Sequence, residues 1–237
     1  EFSGTGLETN TDVSTVKEGD RVIGIRNFKC MAEECVTDQK NLWQIPEKFS
    51  LQEAAVLHLS YGTAIFALGI GHTQPGEIVL VTAAAGATGL AVMWQQISSG
   101  QGNIAAAGSD EKCKLAMAEG CAVQRELQSG QPEGFSEEAA WHGRAGLWWW
   151  DLLEETLLLY QPTFAPEEYL CYGPVLWSIQ KMNFPVFSKS LSSVLRYCQQ
   201  GRIQPYVGMV FKLEEVSDAF LHVIQGKSVG KVLLALK

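Results

Sequence analysis

The stretch Glu77-Ile78-Val79-Leu80-Val81-Thr82-Ala83-Ala84-Ala85-Gly86-Ala87-Thr88-Gly89-Leu90 decides how this sequence is read. Residues 77–82 are a continuous apolar run rather than an alternating one, which fits a strand buried on both faces of a parallel sheet. Ala83 to Gly89 is a turn of small residues, and Leu90 to Ile97 reads as the helix after it. Small residues let the chain turn tightly and let backbone N–H groups approach a pyrophosphate at the helix N-terminus. Asn103 to Ala107 reads as the next strand, and Ser109-Asp110-Glu111-Lys112 opens a further helix through Leu115 and Met117. Strand, helix, strand and helix in that order make a unit of α/β type. A glycine turn could also pack a helix on a sheet with no ligand. Here its context of strand, helix and second strand points to nucleotide binding by Ala84, Gly86, Ala87, Thr88 and Gly89.

The end of the second strand bears on which nucleotide. A site for NAD places Asp or Glu there, about 20 residues beyond the motif, to accept from the ribose 2′-hydroxyl. This strand ends instead at Gly108-Ser109, with Lys112 one turn on. Ser109 and Lys112 could hold a 2′-phosphate that a carboxylate would repel, so NADPH is the expected cofactor. Asp110 is the opposing candidate, although the first helical turn also suits it to a capping role.

Upstream, the opening fifty residues have strand character. Val13 to Val16 leads through the turn cluster Lys17-Glu18-Gly19-Asp20 to the short run Arg21-Val22-Ile23-Gly24. A further strand is expected at Ala32 to Val36, and Trp43-Gln44-Ile45-Pro46 is an extended segment ended by a proline. Ser50-Leu51-Gln52-Glu53 has the form of a capping box and starts a helix; a second is expected over Tyr61 to Leu68. Downstream, the alternation collapses between Cys121 and Lys181. It returns as a helix over Phe184 to Gln200, a strand over Val207 to Leu213, a helix over Glu214 to Gln225 and a strand over Gly230 to Leu236.

Composition narrows the function. The 237 residues are 46% hydrophobic and 19% charged, ordinary for a globular protein, and the net charge of -8 argues against a nucleic-acid surface. Cys30, Cys35, Cys113, Cys121, Cys171 and Cys198 form no C-x-x-C pair and read as the scattered thiols of a reducing compartment. The longest apolar stretch, Ile78 to Trp94, is interrupted by Gly86 and Gly89 and is too short for a membrane helix. No basic-then-apolar signal opens the chain.

Several segments occur in an order that resembles the medium-chain dehydrogenase/reductases. They are Glu1-Phe2-Ser3-Gly4, Lys17-Glu18-Gly19-Asp20-Arg21-Val22, Ala32-Glu33-Glu34, Ile45-Pro46, Glu53-Ala54-Ala55 and Gly62-Thr63-Ala64. Val81 to Gly89, Gly108-Ser109-Asp110-Glu111-Lys112, Gly201-Arg202-Ile203-Gln204-Pro205 and Gly230-Lys231-Val232 extend the set. The chain looks most like the quinone oxidoreductase branch over residues 1–120 and 182–237. The resemblance implies a partial GroES-like β-barrel domain, residues 1–60 and 202–237, around a Rossmann-type parallel sheet domain, residues 61–201. It also implies an intracellular enzyme, mitochondrial or cytoplasmic, often homodimeric, that moves hydride from NADPH to quinone or enone-type carbonyl substrates without zinc. Thr63 joins the cofactor-binding residues on this ground. No catalytic acid or base is assigned, since hydride transfer relies on the cofactor and on substrate positioning. No four-cysteine insertion separates Gly24 from Ala32, Cys30 and Cys35 are too few for a tetrahedral site, and His58 and His72 are expected on surfaces or loops.

Two departures from the family pattern set further expectations. The family barrel begins well before the segment matched by Glu1, so unpaired strand edges and exposed apolar surface are expected. The second departure is the interval 122–181, where further strands belong. Trp148-Trp149-Trp150-Asp151 is encoded TGGTGGTGGGA. Read one nucleotide earlier, that string gives Val-Val-Gly, a typical strand ending. The segment from Arg144 to Gln180 therefore reads as an out-of-frame translation. It is expected to add few or no strands and to expose several of Trp141, Trp148, Trp149, Trp150 and Trp177. An aromatic insertion with its own binding role is the other reading. The function is then a reductase or, from a different class, a catalytically impaired nucleotide-binding remnant or pseudogene product.

Overall fold

The computed structural model describes residues 1–26, 29–70, 72–118, 123–126, 145–150, 156–160, 170–172 and 175–236. They fall into two compact units, residues 63–190 and residues 1–62 with 191–237.

In the first of these units, Ile78–Val81 forms β4, Gly102–Ala107 β5 and Val123–Glu126 β6, with α3 over Ala87–Ser98 and α4 over Asp110–Ala118. The remaining strands are β7 (Ala145–Trp150), β8 (Thr156–Tyr160) and β9 (Leu170–Tyr172). One sheet holds all six in the order β6-β5-β4-β7-β8-β9. β4 pairs in parallel with β5 on one side and with β7 on the other, and β5 pairs in parallel with β6. The continuous apolar run does what it predicts: Val79 and Val81 are fully buried. Ala105, Ala106 and Ala107 are buried too, and α3 packs on β4 and β5. A stripe of alanines allows that close approach of helix to sheet.

The far side of the sheet corrects the expectation that the segment 122–181 adds few or no strands. It adds β6 through β9. β8 runs antiparallel to β7, pairing Trp148 with Leu158, and β9 runs antiparallel to β8. The reason is local. Tryptophan and leucine suit an extended chain wherever they fall, and only five residues separate Trp150 from Thr156. A short connection permits an antiparallel ribbon, whereas a parallel pair needs a crossover of a dozen residues or more. The exposure expected of Trp141, Trp148, Trp149, Trp150 and Trp177 concerns side chains outside those described.

In the other unit, β1 (Phe2–Thr5), β2 (Arg21–Gly24) and β3 (Leu42–Gln44) form an antiparallel sheet in sequence order. β10 (Val207–Lys212) and β11 (Lys231–Ala235) form a parallel pair joined through α6 (Val216–Ile224). α1 (Leu51–Val56) packs against β1, β2, β10 and β11. The capping box is present in full: Ser50 Oγ accepts from the Glu53 N–H at 3.1 Å, and Glu53 Oε2 accepts from the Ser50 N–H at 2.8 Å. Residues 13–16 and 32–36 are not strands. Extended propensity there finds no partner strand, and a strand is stabilised by its neighbours rather than by its own residues.

Two helices complete the description. α2 covers Gly62–Ile70, and α5 covers Val175–Gln199, starting nine residues before the expected Phe184 and passing Pro185. No helix among the described residues is long and apolar enough to cross a membrane.

Candidate nucleotide site

The chain passes from β4 to β5 and β6 on one side, then returns to β7 on β4's other flank. That reversal makes the carboxyl end of β4 the switch point of the sheet, where open α/β sheets bind ligands. The small-residue turn sits at this end. Ala83 takes φ +48, a left-handed conformation uncommon for a residue with a side chain. The Gly86 N–H donates to the Ala83 carbonyl at 2.8 Å, and the Ala84 N–H donates to the Ala106 carbonyl at 3.0 Å. The second bond ties the turn to the end of β5.

Gly89 is required here. A Cβ at this position would lie 2.5 Å from the Ala83 carbonyl oxygen and 2.8 Å from the Ala84 backbone, which leaves no room for a side chain. At Gly86 the nearest atom is the Ala83 oxygen at 3.1 Å, a tight but lesser obstacle. α3 starts at Ala87, and the Leu90 N–H bonds to the Gly86 carbonyl. The N–H groups of Ala87, Thr88 and Gly89 therefore have no acceptor within their own helix, and the helix dipole adds positive potential there. Gly86, Ala87 and Thr88 are half-exposed, while Ala84 and Gly89 are buried beneath them.

Ser109 and Lys112 come after β5 as expected, at the same carboxyl edge of the sheet as the turn. Both are half-buried. The Lys112 N–H lies 3.4 Å from Ser109 Oγ, and the Cys113 N–H donates to the Ser109 carbonyl at 2.9 Å. Ser109 thus caps α4, and Asp110 is the first residue of that helix and exposed. No carboxylate ends β5 itself. Thr63 is the second residue of α2; its Oγ1 is buried and has no hydrogen-bond partner. The turn, Ser109 and Lys112 are thus brought to one edge, and Thr63 stands on a separate element.

The perturbed ionisable groups among the described residues lie in the other unit. His58 is 1% exposed, which corrects the expectation of a surface or loop position, and burial lowers its pKa to about 4. His72 is exposed. Cys198 is buried, and desolvation pushes its thiol up to about 12. Cys35 is also raised, first by burial and then by neighbouring Cys30, so it is not an activated thiolate. Among the described residues no three His, Cys, Asp or Glu side chains gather as metal ligands.

A glycine turn at the switch point of a doubly wound sheet, with a second unit formed by both ends of the chain, is the architecture of a nucleotide-dependent oxidoreductase of the medium-chain class. Comparison with known proteins agrees. A family profile described as zinc-binding dehydrogenase matches residues 145–234. Quinone oxidoreductase-like protein 2 from Bos taurus is 53% identical over 263 aligned positions, spanning 100% of this chain and 75% of that protein. Among solved structures, human synaptic vesicle membrane protein VAT-1 homolog-like protein superposes with a TM-score of 0.83 at 20% identity, over 99% of this chain and 77% of that one. The quinone oxidoreductase of Thermus thermophilus, solved also in complex with NADPH, gives 0.70 at 24% identity, over 93% and 78%. The chain belongs to the quinone oxidoreductase branch of the medium-chain dehydrogenase/reductases.

Proposed function

We propose that this protein is an NADPH-dependent, zinc-independent oxidoreductase acting on quinone or enone-type carbonyl compounds. The observation that carries the reading is the turn at the sheet's switch point. It combines helix N–H groups without internal acceptors, a Gly89 that admits no side chain, and a second strand followed by Ser109 and Lys112 instead of ended by a carboxylate. Gly86, Ala87, Thr88 and Gly89 would hold the pyrophosphate through backbone N–H groups. Ser109 and Lys112 would hold the 2′-phosphate, and Ala84 would seat the turn beneath it. Thr63 offers a buried hydroxyl with an unused hydrogen-bonding capacity. NADPH, when bound, supplies the hydride. The turn, Ser109 and Lys112 would hold and orient it.

A second reading is favoured by one observation. β8 and β9 run antiparallel where a doubly wound sheet continues in parallel, so the far side of the cofactor cleft is built differently from the near side. In that reading the protein binds the nucleotide with impaired turnover. Titration with NADPH, followed by nicotinamide fluorescence, tests binding. Quinone-dependent oxidation of bound NADPH then separates the two readings. Saturable binding with turnover supports the reductase, binding alone supports the impaired form, and no binding defeats both.

A further inference from the structure

Between α1 and α2 the helix is not regular. Residues Leu57–Tyr61 wind as a π turn, a rare feature that inserts one residue into a helix and is frequent at functional sites. The polar contacts around it explain why it persists. The Leu59 N–H donates out of the helix, to Glu1 Oε2 at 2.9 Å, across 58 positions of sequence. The other carboxylate oxygen, Oε1, pairs with Lys231 Nζ. Glu1 is 8% exposed in its side chain and Lys231 28%, so this ion pair works at the edge of the core rather than in open water. His58 fills the same turn, buried and with its ring 5.1 Å from that of Trp43 at a tilt of 51°. A π winding shifts backbone groups off their regular helical partners, and a part-buried donor left without an acceptor is costly. The Glu1 carboxylate provides one, and it is a charged one.

We propose that Glu1 is a positioning residue: its carboxylate, anchored by Lys231, captures the Leu59 N–H and holds Leu57–Tyr61 in the π winding. One inserted residue turns the residues beyond it by about 100° about the helix axis. Thr63 comes just after the turn as the second residue of α2, so the latch sets which way the Thr63 hydroxyl points. That last step rests on the cofactor-binding role proposed for Thr63; the latch itself does not.

Amide hydrogen exchange at Leu59 tests the latch, and NADPH titration of the same variants tests its consequence. Glu1→Leu removes acceptor and charge, and should speed Leu59 exchange roughly tenfold or more, as expected for a lost charge-assisted bond. Glu1→Gln keeps an acceptor oxygen and should restore most of the protection. Lys231→Met leaves the acceptor but frees it, and should speed exchange severalfold. NADPH affinity should fall in Glu1→Leu and recover in Glu1→Gln. Unchanged Leu59 exchange in Glu1→Leu would overturn the proposal. Should that variant not fold, unchanged exchange in Lys231→Met would overturn it equally. If the unaltered protein bound no NADPH, the proposed function would fall while the exchange rates still judged the latch.

Discussion

The two units keep their chemistry in different materials. Residues 63–190 hold theirs in backbone: a left-handed Ala83, a glycine with no space for a Cβ, and N–H groups at the start of α3. The other unit holds its chemistry in buried side chains, with His58 tilted against Trp43 and the Glu1–Lys231 pair gripping the Leu59 N–H. Their surfaces differ as well. Among the described residues, Met117 is the large exposed hydrophobic of the nucleotide unit. Leu7, Met31, Val36, Met209, Phe220, Leu221 and Ile224 are exposed in the other. The contrast teaches where perturbations act: the backbone site should answer to shape and be indifferent to pH, and the side-chain cluster should answer to protons.

Gly89→Val should be the largest perturbation. Its Cβ meets backbone on two residues, atoms that cannot swing aside. A cost of about 3 kcal/mol or more is expected, from overpacking against a rigid wall. Thermal unfolding measures it, and Gly86→Ala serves as the milder neighbour. A Gly89→Val protein as stable as its parent would show that the turn is not built as described.

The second perturbation is acid. His58 titrates near 4 when folded, against 6.5 for an unperturbed histidine, so below 6.5 the unfolded chain binds more protons. Its contribution is therefore complete above pH 6.5 and is lost as pH falls from 6.5 towards 4. The difference amounts to about 3 kcal/mol. Denaturant midpoints measured across that interval should fall with pH, and His58→Phe should flatten the slope if the protein tolerates the ring. An equal slope in the variant would place the proton elsewhere.

A smaller effect is expected from Lys112→Glu. Losing one charge-assisted contact to a 2′-phosphate should weaken NADPH binding by about 1.5–3 kcal/mol and leave NADH nearly untouched. Equal affinity for the two cofactors before mutation would remove the basis for assigning NADPH. Ser50→Ala is the mildest, costing about 1 kcal/mol through the lost cap of α1. Its midpoint shift should be the same at pH 5 and pH 8, unlike that of His58.

Legibility in the sequence divides along physical lines. β4, the turn and α3 were readable because each carries a local pattern: an apolar run, small residues, then helical spacing. The Ser50–Glu53 box was readable for the same reason, its two hydrogen bonds spanning only three residues. Ala32 to Val36 is not a strand because extended propensity needs a partner, and no strand among the described residues pairs with it. The antiparallel β8 was not legible, since a disrupted alternation says nothing of strand direction. Within the candidate site, the turn residues, Ser109 and Lys112 lie at the strand ends where their sequence positions put them. The buried state of His58 and its neighbours was not, because the groups that enclose it, Trp43, Glu1 and Lys231, come from three distant parts of the chain.

The Glu1–Lys231 pair also sets a timetable for synthesis. β4 and β5 lie within thirty residues of each other, and β4 can pair with β5 soon after both leave the ribosome. Glu1 is made 230 residues before Lys231 and must wait for it before its carboxylate is anchored. Throughout translation β1 and the turn over 57–61 are present without β11, their last support. The unit formed by the two chain ends is thus the later to close on the nascent chain, and the longer exposed to chaperones and proteases.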